Sequence, residues 1–350
     1  MDRNNELLKL ALPLAQHPPG LAGRAQKVTS SVVPWLIIGG LLWAGLFVKP
    51  AAVGNTVQPP VLEARDHLYG VAAPGGGGVW LAGSGGKIVA VAPDGRLRRL
   101  ASGTTRTLQD IAAWDAQHGI AVGNEGVIVT TADGGRTWTP ASDVPRSEVA
   151  NKLTRVRVAE GGRAVVVGEM GAILASDDYG AHWRRLRAEE DVAWNDVALL
   201  DAGELRVVGE FGRMLVSHDG GASWREATAP VETSLMAVAF RDARHGIAVG
   251  LDGVVVTSED GGESWRRAET GIHDHLLDIA WDAAGARWVG AGVLGRWVSA
   301  PADAKTWTTG RVDERDLSWH TRVLAAGGEL WFAGAGVGRW DGAHWQPLIQ

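Results

Sequence analysis

Along most of the chain, apolar residues come in short β-branched runs bounded by Gly, Asp and Ser. One set reads GIAVG (246–250), VVVTS (254–258) and SWRRA (264–268), and LLDIAW (276–281) opens the next. Runs of this length between turn residues predict strands, not helices. One stretch departs from the pattern. From Val28 to Val48, 21 residues carry no charge: VTSSVVPWLIIGGLLWAGLFV. About 20 apolar residues in a helix cross a hydrocarbon core of about 30 Å. The pattern therefore divides the chain into one apolar helix and a long array of strands.

The array repeats. Four stretches follow Ser/Thr-x-Asp-x-Gly-x-x-Trp: TADGGRTW, SDDYGAHW, SHDGGASW and SEDGGESW. Their aspartates, Asp133, Asp178, Asp219 and Asp260, are 45, 41 and 41 residues apart, and each is followed by Trp138, Trp183, Trp224 or Trp265. Weaker copies surround Asp94, Asp303 and Asp341. Four strands per unit of about 40 residues is the grammar of a propeller blade. Seven sets fit between Leu68 and Ile349. The motif has a local physical reason. Its Asp accepts hydrogen bonds from backbone N–H groups of its own turn. Its Gly takes backbone angles that other residues resist, and its Trp starts the outer strand and covers the hairpin. A calcium role fails on ligand number, with one carboxylate per isolated turn.

The expected fold is all-β, a seven-bladed propeller behind one N-terminal transmembrane helix. The expected divisions are 1–27 (cytoplasmic segment), 28–48 (anchor), 49–66 (Pro-containing linker) and 67–350 (propeller). Closure would rest on blade seven packing against blade one, helped by residues 56–64. Arg3, Lys9, Arg24 and Lys27 precede the span and only Lys49 follows closely. The positive-inside rule then puts the N-terminus in the cytoplasm and the propeller outside it, in the periplasm of a bacterial inner membrane. A cleaved signal peptide fits less well, its positive region and apolar stretch both being too long. Leu7, Leu8, Leu10, Ala11 and Leu14 stand near helical spacing before the span.

Composition sharpens this. Glycine is 48 of 350 residues, about twice average usage, and 17 Trp stand beside 2 Tyr and 4 Phe, as a copied Trp-bearing unit requires. No cysteine is present, which excludes disulfides and thiolate chemistry. The net charge of −6 splits into +3 over residues 1–49 and −9 over the rest, and an acidic body argues against nucleic acid.

On these residues the repeat resembles the Asp-box, or bacterial neuraminidase repeat, over about 280 residues. The spacing near 41 and the pair HGIAVG (118–123 and 245–250) are most similar to the photosystem II stability/assembly factor family. The resemblance implies the propeller fold and a non-catalytic scaffold, assembly or accessory subunit of an integral membrane complex. Some bacterial relatives resemble accessory proteins of RND-superfamily exporters. The resemblance thus makes an RND-type transporter the first partner to expect and a photosystem-like complex the second. No cofactor is implied. The runner-up is a glycan-binding or glycoside-hydrolase-like propeller.

Catalytic chemistry finds little footing. Sialidases resemble one another in a Tyr nucleophile with a Glu partner, an Asp and three Arg. Only Tyr69 and Tyr179 exist here, and the Arg-Ile-Pro signature is absent. Asp110, Asp196 and Asp278 hold one equivalent place on innermost strands, and that repetition favours a structural role over paired-carboxylate catalysis. His273 and His275, with His67 and His320, could meet at the channel mouth as a three-histidine site; unrelated surface histidines are the bland alternative. A binding surface has more support. The turns between second and third strands share one face, and their tips carry Glu169, Met170, Glu210, Phe211, Leu251 and Leu294. Apolar tips with an acidic fringe suit protein contact; the bland alternative folds each tip onto the neighbouring blade. Arg155 and Arg322 are expected on the same face, a sparse counterpart of the arginine-rich patch that the family resemblance implies.

Overall fold

The computed structural model describes residues 21–47, 60–63, 65–201, 203–227 and 229–348. They fall in two units, Met1–Pro59 and Pro60–Gln350.

In the first unit a helix runs over Leu21–Phe47, with Pro34 inside it. Its described side chains lie between Val32 and Leu46 and are exposed, Trp35, Leu36 and Leu46 among them. Among the described residues no helix is long and apolar enough to cross a membrane. The anchor expected over 28–48 is thus unconfirmed. Residues 1–20 and 48–59 lie outside the described residues, with the expected helical spacing at 7–14 and most of the expected linker.

The second unit is a propeller of seven four-stranded antiparallel sheets, each built from consecutive strands. The blades span 68–100, 108–140, 153–185, 194–227, 235–267, 276–311 and 320–347. First strands of successive blades pack against one another around the ring, and blade seven closes onto blade one. The units around Asp94, Asp303 and Asp341, weak in sequence, each form a complete blade. An apolar cluster fills every gap between blades. Trp80, Ile111, Val129 and Trp138 join blades one and two, and Val71, Leu81, Trp331 and Val337 join blades one and seven. Val61 and Leu62 pack on that last cluster.

One detail corrects the strand limits. The outer strands of blades two, three and five cover only Thr139–Pro140, Arg184–Arg185 and Arg266–Arg267. The Trp precedes the strand instead of starting it. Its ring turns into the gap between blades, where Trp138, Trp183 and Trp265 are buried. Trp183 and Trp265 still donate Nε1–H to the turn carbonyls of Gly180 (3.0 Å) and Gly262 (3.2 Å).

Candidate functional site

Four Asp-boxes share one hydrogen-bond pattern. Asp133 Oδ1 accepts the Thr137 N–H at 2.9 Å and the Thr131 hydroxyl at 2.9 Å. Asp219 does the same with Ser223 N–H (2.8 Å) and the Ser217 hydroxyl (2.9 Å). Asp178 and Asp260 repeat it with His182 and Ser264. Hydrogen bonds to the charged form hold it charged. The Thr137 hydroxyl, then its N–H, bring Asp133 to about 2, and the Ser223 hydroxyl does so for Asp219. These aspartates staple turns.

The channel is lined by the third residue of each innermost strand: Gly70, Asp110, Arg155, Asp196, Ala237, Asp278 and Arg322. Each Asp reaches into the next blade and accepts a backbone N–H: Val156 on Asp110 (3.0 Å), Val238 on Asp196 (3.1 Å), Val323 on Asp278 (2.8 Å). Arginines complete the ring. Arg155 contacts Asp196 at 3.1 Å and Asp278 at 3.0 Å. Arg157 contacts Asp196 at 2.9 Å, and Arg322 contacts Asp110 at 2.9 Å. Three carboxylates thus meet three guanidinium groups. Burial pushes the Asp196 carboxyl up, but Arg155 and Arg157 more than reverse this and hold it below its ordinary value. Burial, then the neighbouring Arg322, hold the Arg155 guanidinium below its own.

This geometry corrects the expected place of two residues. Arg155 is wholly buried and Arg322 nearly so, so neither lies on the turn-tip face. Their strands start at that face, but the third residue already points to the axis, where carboxylates wait. The three aspartates, equivalent in sequence, bind backbone and arginine and serve the ring.

The possible three-histidine arrangement does not form. His320 is buried, its Nδ1 3.2 Å from the Gly336 carbonyl, and His67 packs on Trp319. The His275 Nδ1 accepts the Asp252 N–H at 2.9 Å. Among the described residues, no group of three His, Cys, Asp or Glu could hold a metal ion.

The turn-tip face is built from strained residues. Glu125, Met170, Phe211, Asp252 and Leu294 occupy equivalent tip positions with φ between 55° and 59°. That left-handed backbone suits Gly, and blade one does use Gly85 there, at φ 60°. Phe211 is 71 % exposed and Leu294 40 %. Met170 and Leu251 are half-buried, as are Glu169 and Glu210, and Glu210 Oε2 accepts the Ala193 N–H at 2.8 Å. The sequence reading missed Val149 (76 % exposed) and Leu317 (61 %), from the connections at 141–152 and 312–319 on the same face. Leu317 adjoins Leu294, since the Gly295 N–H donates to the Ser318 carbonyl at 2.6 Å. Val149 borders a cleft of about 520 Å³ with Glu125, Arg146 and Glu169. Four of the five exposed large apolar side chains described in the propeller therefore stand at one end; Tyr179 is the fifth. Glu189, Glu190, Asp191, Asp313 and Glu314, in connections at the same end, supply an acidic fringe.

Comparison with known proteins agrees with the repeat. Residues 89–226 match the family described as Photosynthesis system II assembly factor YCF48. No curated protein matches the sequence. Solved structures are similar in fold. YCF48 bound to a D1 peptide superposes with TM-score 0.64 at 17 % identity, over 81 % of this chain and 96 % of that one. YCF48 from Cyanidioschyzon merolae gives 0.63 at 14 %, over 78 % and 94 %. PorZ, a surface component of the type-IX secretion system of Porphyromonas gingivalis, gives 0.62 at 14 %, over 81 % of this chain and 38 % of its own. The chain is a seven-bladed Asp-box propeller, and over residues 89–226 its sequence is similar to the photosystem II assembly factor family.

Proposed function

We propose that this chain is a non-catalytic scaffold or assembly subunit that binds an integral membrane protein complex through the turn-tip face. The carrying observation is the exposure of Phe211, Leu294, Val149 and Leu317 at one end of the propeller. Exposed apolar side chains rimmed by polar residues mark protein contact. The ring of ion pairs leaves Asp110, Asp196 and Asp278 engaged, which favours binding over hydrolysis. A solved relative in fold is YCF48 bound to a D1 peptide, so a peptide ligand has precedent on this architecture.

Residues 28–48 hold the propeller at the membrane in this reading, with residues 1–27 in the cytoplasm and the propeller in the periplasm. Tethering raises the effective concentration of the propeller near membrane partners. The sequence put an RND-type transporter ahead of a photosystem-like complex. The comparisons lend no support to the transporter, so the partner is best sought without that bias.

The test is co-purification of the full chain in mild detergent, with mass spectrometry of what stays bound. A polytopic membrane protein in stoichiometric amount is expected. Phe211→Asp with Leu294→Asp should remove it and leave the melting temperature unchanged, since both side chains are exposed. Retention by the double variant would exclude this face. A form lacking residues 1–49, exported by a cleavable signal, separates the contributions of span and propeller.

A further inference from the structure

Blade one departs from the repeat at its outer edge. Its turn keeps Asp94, but Ala92 replaces the hydroxyl residue and Arg99 stands where the motif places Trp. A cleft of about 480 Å³ lies along this edge, lined by Val79, Trp80, Val91 and Leu97. A second, of about 650 Å³, meets the far end of the same strand at Arg99 and Ser102.

The fourth strand, Leu97–Leu100, has four residues where blades two, three and five have two. It pairs only with the third strand, through Ala90↔Arg98 and Val89↔Arg99. The Ala92 N–H donates to the Arg96 carbonyl at 2.9 Å, which fixes the phase of the ladder. Alternation then turns the backbone N–H and C=O of Leu97 and Arg99 outward, away from the sheet.

Charge narrows what can dock. Arg98 and Arg99 are exposed, and among the described residues neither forms an ion pair. Elsewhere Arg184 is matched with Asp177 at 2.8 Å and Arg266 with Glu259 at 2.7 Å, and blade one is where two adjacent exposed arginines both stand unmatched. Two unmatched arginines on a free edge repel a second copy of the same edge. An acidic strand is their complement.

We propose that the outer edge of blade one binds an extended acidic peptide, which adds to the sheet as a fifth strand. Main-chain hydrogen bonds to Leu97 and Arg99 supply affinity. Alternate side chains of the peptide point to opposite faces. Its carboxylates, all on one face, meet Arg98, and its apolar residues, on the other, cover the half-buried Leu97 and the stem of Arg99.

Fluorescence anisotropy tests this with the full chain in detergent and a labelled peptide of alternating Glu and Val. Binding is expected, with none for the Lys-Val counterpart. Arg98→Glu with Arg99→Glu should weaken it about tenfold or more at an unchanged melting temperature. N-methylation of alternate peptide amides should abolish binding in one phase and spare it in the other. Unchanged affinity in the double variant, or indifference to methylation phase, overturns the proposal. Equal competition by an oligonucleotide overturns it too, by reducing the edge to a polyanion site. Phe211→Asp with Leu294→Asp should leave this binding intact; loss there would place the peptide at the turn tips.

Discussion

Under the proposed function, Phe211 is the residue where stability and partner binding pull apart. Its φ of 56° costs an L-residue about 1–2 kcal/mol. Gly85 shows that the turn closes without a side chain. The ring of Phe211 is 71 % exposed, so burial offsets little of that strain. Strain that packing does not explain points to function. Phe211→Gly is therefore expected to leave thermal stability equal or higher while weakening partner capture. A melt and a co-purification on the same preparation check both halves. A clear fall in melting temperature would mean that the ring packs in a way that stabilises the turn, and the argument from strain would fail.

The Asp-box turn is the element that repeats, and its stability has a pH signature. Backbone and hydroxyl donors, and for Asp178 the His182 backbone and ring, hold Asp133, Asp178, Asp219 and Asp260 at about 2 in the folded chain, against 3.8 as the ordinary value. A carboxyl depressed by folding contributes stability above its unfolded value and loses it as pH falls towards its folded value. The melting temperature should thus fall between about pH 4 and pH 2 as these four turns lose their charge-dependent bonds. Replacing Asp219 and Asp260 by Asn should flatten that fall; an unaltered slope would place the acid sensitivity elsewhere. This element was legible in the sequence because each hairpin obeys local rules within about 40 residues. So were the three channel aspartates, by their common strand position. The fate of Arg155 was not. Its partners Asp196 and Asp278 lie 41 and 123 residues away, and only ring closure brings them near. Val149 and Leu317 were missed because they stand in irregular connections that carry no period.

At the scale of the whole molecule, the question is what keeps seven self-contained blades in one ring. Among the described residues no strand is exchanged between the chain's two ends; each sheet uses its own consecutive strands. The seam between blades seven and one is held by side chains. The Thr321 hydroxyl donates to the Tyr69 carbonyl at 2.8 Å, as the Thr154 hydroxyl does to that of Trp194 at 3.0 Å between blades three and four. Tyr69 stacks on Trp319 at 5.5 Å, with their planes 15° apart. Arg322 of blade seven reaches Asp110 of blade two, past Gly70 of blade one. Gly70 makes that reach possible. A Cβ there would lie 2.8 Å from both the Asp110 Cα and the Ile111 nitrogen, which are backbone and cannot yield cheaply. Gly70→Ala should therefore cost about 1–3 kcal/mol, as overpacking does. The loss should be local, since contacts in a repeat array are between neighbours. Hydrogen exchange would read it as faster opening at Leu68–Gly75 and at Leu108–Ala113, with blade four unchanged. Uniform acceleration around the ring would instead show that the seven blades open as one cooperative unit.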